Sequence, residues 1–139
     1  MRKIFMLAAA IAAPLLLAAP VAHADPNNGY SERCSAPTVV GPGLTATTCV
    51  GQLWYNYGAD YSYHSEVRVV NASSLTVSVR ADQMIGPTTA IPGSTITLGP
   101  NSSGTAFSGS VTNPGRTSLW GRGYLSSLGW STYTSSPSY

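Results

Sequence analysis

Residues 66–81 read EVRVVNASSLTVSVRA, and the fold turns on how this stretch is divided. Val67, Val69 and Asn71 share one parity with Glu66, Arg68 and Val70 between them, and then Leu75, Val77, Val79 and Ala81 alternate with Thr76, Ser78 and Arg80. Successive side chains of a strand point to opposite sides, so each run reads as a strand with one buried face. The polar segment from Asn71 to Ser74 joins the two. Outside the N-terminal leader, no window long enough for a helix repeats its apolar residues every three to four positions, and Ser, Thr, Gly, Val and Tyr dominate.

Working outward, further strands are expected at Leu44 to Tyr57, Ser94 to Leu98, Thr105 to Val111 and Thr117 to Leu125, separated by the turn sequences GPNSSG (99–104) and TNPGR (112–116). About six or seven short strands with polar turns predict an all-β domain, a small immunoglobulin-like two-sheet β-sandwich, with a small closed β-barrel as the alternative. The segment from Gln83 to Gly93 contains two prolines and is expected to cross between the sheets.

Arg2 and Lys3 precede an uncharged run from Ile4 to Ala19, and Ala22-His23-Ala24 fits a small-x-small cleavage pattern. This predicts a secretory signal peptide over residues 1–24 and a single all-β domain over 25–139, with a flexible N-terminal lead-in and a Ser-rich C-terminal tail. The apolar run carries Pro14 and falls short of the roughly 20 residues a membrane span needs. The expected location is therefore extracellular, and the alanine-rich leader is bacterial in style.

The formal charge of +2 belongs to the leader, which holds Arg2 and the sole lysine, Lys3. Beyond it Arg33, Arg68, Arg80, Arg116 and Arg122 balance Asp25, Glu32, Asp60, Glu66 and Asp82. Such a chain has no electrostatic footprint for a nucleic acid or an anionic membrane. Cys34 and Cys49, the two cysteines, are expected to form a disulfide, since an exported pair without further ligands or a Cys-x-x-Cys spacing reads as structural.

Catalytic groups are sparse. His64 with Asp60 or Glu66 and a serine would make a weak hydrolase, but no Gly-x-Ser-x-Gly elbow is present to expose a nucleophile. His64, Glu66 and Arg68 alternate as a solvated sheet face does, and His64 with Glu66 supplies two ligands, too few for a metal site. No cofactor is expected. Asn71-Ala72-Ser73 and Asn101-Ser102-Ser103 match the glycosylation sequon, yet both fall in expected turns, where Asn and Ser serve the backbone.

The aromatic residues divide into two groups. In LWYNYGADYSYHSEV (53–67), Tyr61 and Tyr63 share the parity of Val67 and Val69, and Tyr55 and Tyr57 that of Cys49 and Leu53, so these tyrosines are expected to face inward. In SLWGRGYLSSLGW (118–130), Leu119 and Leu125 take one face while Trp120, Arg122 and Tyr124 take the other, with Gly121 and Gly123 allowing a second backbone to come close. Trp130 and Tyr133 follow in a segment with little core left to fill. The candidate binding residues are Trp120, Arg122, Tyr124, Trp130 and Trp54.

The trio Trp120, Arg122 and Tyr124 is similar to the Trp-Arg-Tyr of small secreted amylase inhibitors of the tendamistat type. There the three are consecutive in a hairpin tip inside a cysteine loop, whereas here they alternate along a strand outside it. The likeness implies a rigid aromatic and arginine patch and nothing finer. The function expected is a secreted, non-catalytic protein-binding module, an inhibitor or accessory subunit of an extracellular assembly. A carbohydrate-binding module stacking exposed aromatics on a glycan is the alternative.

Overall fold

The computed structural model describes residues 28–139; the expected signal peptide lies outside the described residues. Eleven strands follow in order: β1 (Gly29–Cys34), β2 (Thr38–Gly41), β3 (Leu44–Tyr55), β4 (Asp60–Asn71), β5 (Val77–Ile85), β6 (Thr89–Pro92), β7 (Ile96–Leu98), β8 (Ser102–Phe107), β9 (Val111–Thr112), β10 (Leu119–Ser127) and β11 (Trp130–Ser135). The first sheet runs β1-β3-β4-β8 with β2 beside β3 and β9 beside β4, and the second runs β11-β10-β5-β6 with β7 beside β5. The two antiparallel sheets form a β-sandwich and do not close into a barrel. Among the described residues no helix is long and apolar enough to cross a membrane.

The stretch 66–81 contributes to both sheets. Val67 and Val69 of β4 and Val77, Val79 and Ala81 of β5 are buried against Leu44, Ala46, Leu98, Ala106 and Leu125. Each fully buried Val or Leu contributes about 1.5–3 kcal/mol through removal of apolar surface from water. The two strands do not form a hairpin. Asn71 is buried at the corner, where its amide donates to the carbonyls of Leu75 and Gly99, both at 2.8 Å, and its oxygen accepts from Ser73. That burial fixes the first sequon residue as a turn brace. Asn101, of the second sequon, sits exposed in a turn with φ of 51°.

Toward β3's far end the interior changes character. Ser65 donates to Gln83 Oε1 at 2.7 Å, Gln83 donates to the carbonyls of Met84 and Trp120, and the hydroxyls of Thr48 and Thr134 share a hydrogen bond. Every side chain here replaces hydration with a protein partner, which a buried polar group requires. The sheets also come closer together: a Cβ at Gly121 would lie 2.6 Å from the Cys49 carbonyl oxygen, and one at Gly123 2.7 Å from a Val67 methyl. The two glycines are the reason β10 lies so close to β3 and β4.

The disulfide Cys34–Cys49 forms between directly opposed residues of β1 and β3, pinning the N-terminal segment to the first long strand as expected. Other expectations are corrected. The lead-in is the paired strand β1 from Gly29 onward, and the Ser-rich tail is β11, because both gain backbone hydrogen bonds that their polar sequences do not advertise. The segment from Gln83 to Gly93 does not cross between sheets; it turns at Gly86 and pairs with β5 as β6. Leu75 precedes β5 and is exposed rather than buried.

Candidate functional site

On β10, Leu119, Gly121, Gly123 and Leu125 are buried, which turns Trp120, Arg122 and Tyr124 to the outer face of the second sheet, each half-buried. The register then sets Trp120 beside Met84, Arg122 beside Asp82, Tyr124 beside Arg80, and Tyr133 of β11 on the other side of Tyr124. Strand pairing gathers these residues, from three strands, onto one surface.

Asp82 organises the surface. Its carboxylate is completely buried and accepts from Arg80 Nε at 2.8 Å and from Arg122 Nη2 at 2.8 Å. Arg80 Nη2 and Arg122 Nε add longer bonds at 3.3 and 3.2 Å. The hydrogen bond to Asp82 holds the Arg80 guanidinium above its ordinary value, so it stays charged. Each guanidinium also lies over a ring, Arg80 at 5.4 Å from the Tyr124 centroid and Arg122 at 5.2 Å from that of Tyr133, with the two rings 5.1 Å apart. The result is a checkerboard of cations and rings over one buried anion. An arginine has five N–H donors, so most of each fork stays free of Asp82 for an outside acceptor.

Trp120 closes one end, its indole N–H donating to the Gly86 carbonyl at 3.0 Å, with Met84 sealed beside it. Tyr133 is the most exposed member, at 59 %. The sequence pairing of Arg80 with Asp82 across from Arg122 was a readable signal for the network, since both runs alternate with the same period.

The other two candidates lie elsewhere. Trp130 packs against the apolar core cluster, so the chain's end does have core to fill. Trp54 lies across Gly29, where a Cβ would come within 2.0 Å of its ring, and is half-buried. The inward expectation holds in parity for Tyr61 and Tyr63, although Tyr61 is 38 % exposed. It is corrected for Tyr55 and Tyr57: the core residues of β3 are Leu44 and Ala46, so Tyr55 shares the outer parity of Cys49 and Leu53 opposite Glu66 and Ser62, and Tyr57, in the turn, is 84 % exposed. The β3–β4 hairpin extends past the part of the first sheet that the second one covers.

The first sheet's outer face carries His64, Glu66 and Arg68. Arg68 Nη2 donates to both Glu32 oxygens at 2.8 and 2.9 Å and its Nε pairs closely with Glu66. Tyr30 stacks on His64 with centroids 5.9 Å apart and donates to Glu32. Burial first, and then the Glu32 carboxylate, push the Tyr30 phenol up to about 12. Asp60 is not beside His64; Asn56 and Asn113 hold it at the hairpin tip. Glu32, Cys34 and Cys49 lie within 4.8 Å of one another, but both sulfurs are bonded to each other and so are not free to ligate. A groove of about 570 Å³ lined by Pro92, Gly93, Ser94, Ile96, Thr105, Phe107, Ser108 and Gly109 contains no titratable side chain.

No protein-family model matches the chain, and no curated protein does. Among solved structures, the chain is similar to the X-ray structure of Northeast Structural Genomics Consortium target SoR45, at 11 % identity and a TM-score of 0.47. That likeness spans 73 % of this chain and 87 % of the other.

Proposed function

We propose that this chain is a secreted, non-catalytic protein-binding module that engages its partner through the outer face of the second sheet. The observation that supports this is the checkerboard of Arg80, Arg122, Tyr124 and Tyr133 over buried Asp82. Tryptophan, tyrosine and arginine dominate interface hot spots, and rings and forks held in place before binding lose little freedom when a partner arrives. The surplus cation of the triad favours a partner presenting a carboxylate beside apolar groups.

The test uses the protein without its leader, immobilised beside its Tyr133→Ala and Arg122→Lys variants and exposed to the extracellular proteins of the source culture. A stoichiometric protein retained by the parent, and at least tenfold less by either variant at unchanged melting temperature, supports the reading. Arg122→Lys keeps the charge and loses the planar fork, so it reports on geometry. Retention only on insoluble polysaccharide would transfer the face to the carbohydrate-binding alternative.

A further inference from the structure

The β3–β4 hairpin outruns the sandwich: from Gln52 to His64 no residue is buried. At its tip Asn56, Tyr57 and Gly58 form a single 3₁₀ turn with φ of 52°, 57° and 80°. Asparagine and glycine adopt this left-handed region readily, but a bulky residue crowds its Cβ against the next carbonyl there. Tyr57 is nonetheless 84 % exposed and, among the described residues, makes no side-chain hydrogen bond and no ring contact.

The turn is braced around that tyrosine. Asp60 accepts from Asn56 Nδ2 at 2.5 Å and from Asn113 Nδ2 at 2.8 Å, and Asn113 exchanges further bonds with the Tyr61 backbone, both at 2.8 Å. Those amides, Asn56 first, hold the Asp60 carboxyl below its ordinary value. Asn113, itself at φ of 47°, belongs to a different loop, so two loops fix the tip.

Strained backbone persists where the surroundings over-determine it, and it is a pointer to function when nothing inside the chain gains from it. A glycine at position 57 would relieve the crowding and, among the described residues, lose no side-chain hydrogen bond or ring pairing. We infer that Tyr57 is a contact residue, a knob that enters a cleft of a protein partner with an apolar floor and a basic rim. The floor matches the phenol, with Leu53 and Tyr61, 42 % and 38 % exposed, on opposite faces of the hairpin arms. The rim matches Asp60, the one charged residue between Gln52 and Tyr63. Tyrosine suits this use because it presents a large ring with few torsions to freeze. The inference rests on the reading that the chain binds protein, but not on the second sheet's face being the surface.

Tyr57→Gly and Tyr57→Asn, which both tolerate the left-handed turn, are compared with Arg122→Lys in the same retention assay, using the concentrated extracellular protein of the source culture as probe. Thermal melts are run on all. Both Tyr57 variants are expected to melt at or above the parent temperature while retaining at least tenfold less of the protein the parent holds. A melting point several degrees lower would show that the fold itself needs the tyrosine, and retention within twofold of the parent would show that the tip touches nothing. Either result overturns the inference. Loss in Arg122→Lys alone leaves the second-sheet reading standing without this one, loss in the Tyr57 variants alone leaves the tip as the contact and removes the face, and no retention by the parent removes both.

Discussion

The two outer faces of the sandwich carry the same device with its signs exchanged. On the first sheet one arginine, Arg68, lies between two carboxylates, Glu32 and Glu66; on the second one carboxylate, Asp82, lies between two arginines, Arg80 and Arg122. The difference is depth. Arg68's side chain is 48 % exposed, whereas Asp82's is 0 %. A half-exposed central charge is screened by water and contributes little, while a buried one must keep its partners and so holds them still. The second face is thereby pre-organised and the first is merely neutralised in part.

The sharpest attempt to break that contrast is Asp82→Ala, which leaves two guanidinium groups facing each other over a void. The cost expected in chemical denaturation is about 3 kcal/mol, at the low end for a broken buried pair because both arginines reach solvent. Stability unchanged within error would mean the triad is ornamental and the two faces alike.

The first face depends instead on a covalent tie. Reducing Cys34–Cys49, which closes a separation of 15 residues, should lower stability by about 3 kcal/mol or somewhat less in the chain-entropy account. Denaturant melts with and without a dithiol reductant measure it, and a reduced protein as stable as the oxidised one would place the burden on the ion pairs after all.

Arg68→Gln should cost about 1 kcal/mol, discounted for the exposure of the arginine, although Glu66 at 10 % side-chain exposure loses its cation. If its loss equalled that of Asp82→Ala, depth would not be what separates the faces. The smallest effect belongs to Tyr30. Its phenol ionises near 12 when folded and near 10 when unfolded, so the neutral form is favoured by folding, and stability present below pH 10 declines as pH rises from 10 to 12. Tyr30→Phe should flatten that alkaline limb in pH-dependent melts while changing little at neutral pH, and a limb of unchanged steepness would remove Tyr30 from the account.

Alternation carried much of this. Val67, Val69, Val77, Val79 and Ala81 were legible as core because period two and burial coincide there, and Gly121 and Gly123 as a close approach because they alternate with the bulky Trp120, Arg122 and Tyr124. Parity fixes which way a side chain points, but not whether anything covers it: Tyr61 points inward and is 38 % exposed because the opposite sheet ends first. β1 and β11 were missed for another reason. Their sequences, GYSERC and WSTYTS, are held by backbone pairing along their neighbours, which leaves no mark in side-chain pattern. Parity with Cys49 and Leu53 says nothing of Tyr57's exposure, because the turn and the left-handed backbone that present it leave no trace in composition.

After β11 the chain runs on beside β10, with Ser136 and Tyr139 bonded to the backbone of Gly121 and Leu119. Arg33 of β1 then clamps it, donating to the Ser138 carbonyl at 2.6 Å and lying 4.3 Å from the Tyr139 ring centre. These contacts join residues 105 or more positions apart, Arg33 to Ser138 and Ser31 to Tyr139. Contacts so distant along the chain form only after the intervening loop has closed, so folding should proceed on the slow, millisecond-to-second scale of high-contact-order β-proteins. The same adjacency sets the response to force: tension applied at residues 31 and 139 would first break the side-chain contacts between β1 and the tail, after which the Cys34–Cys49 bridge would pass the load to β3.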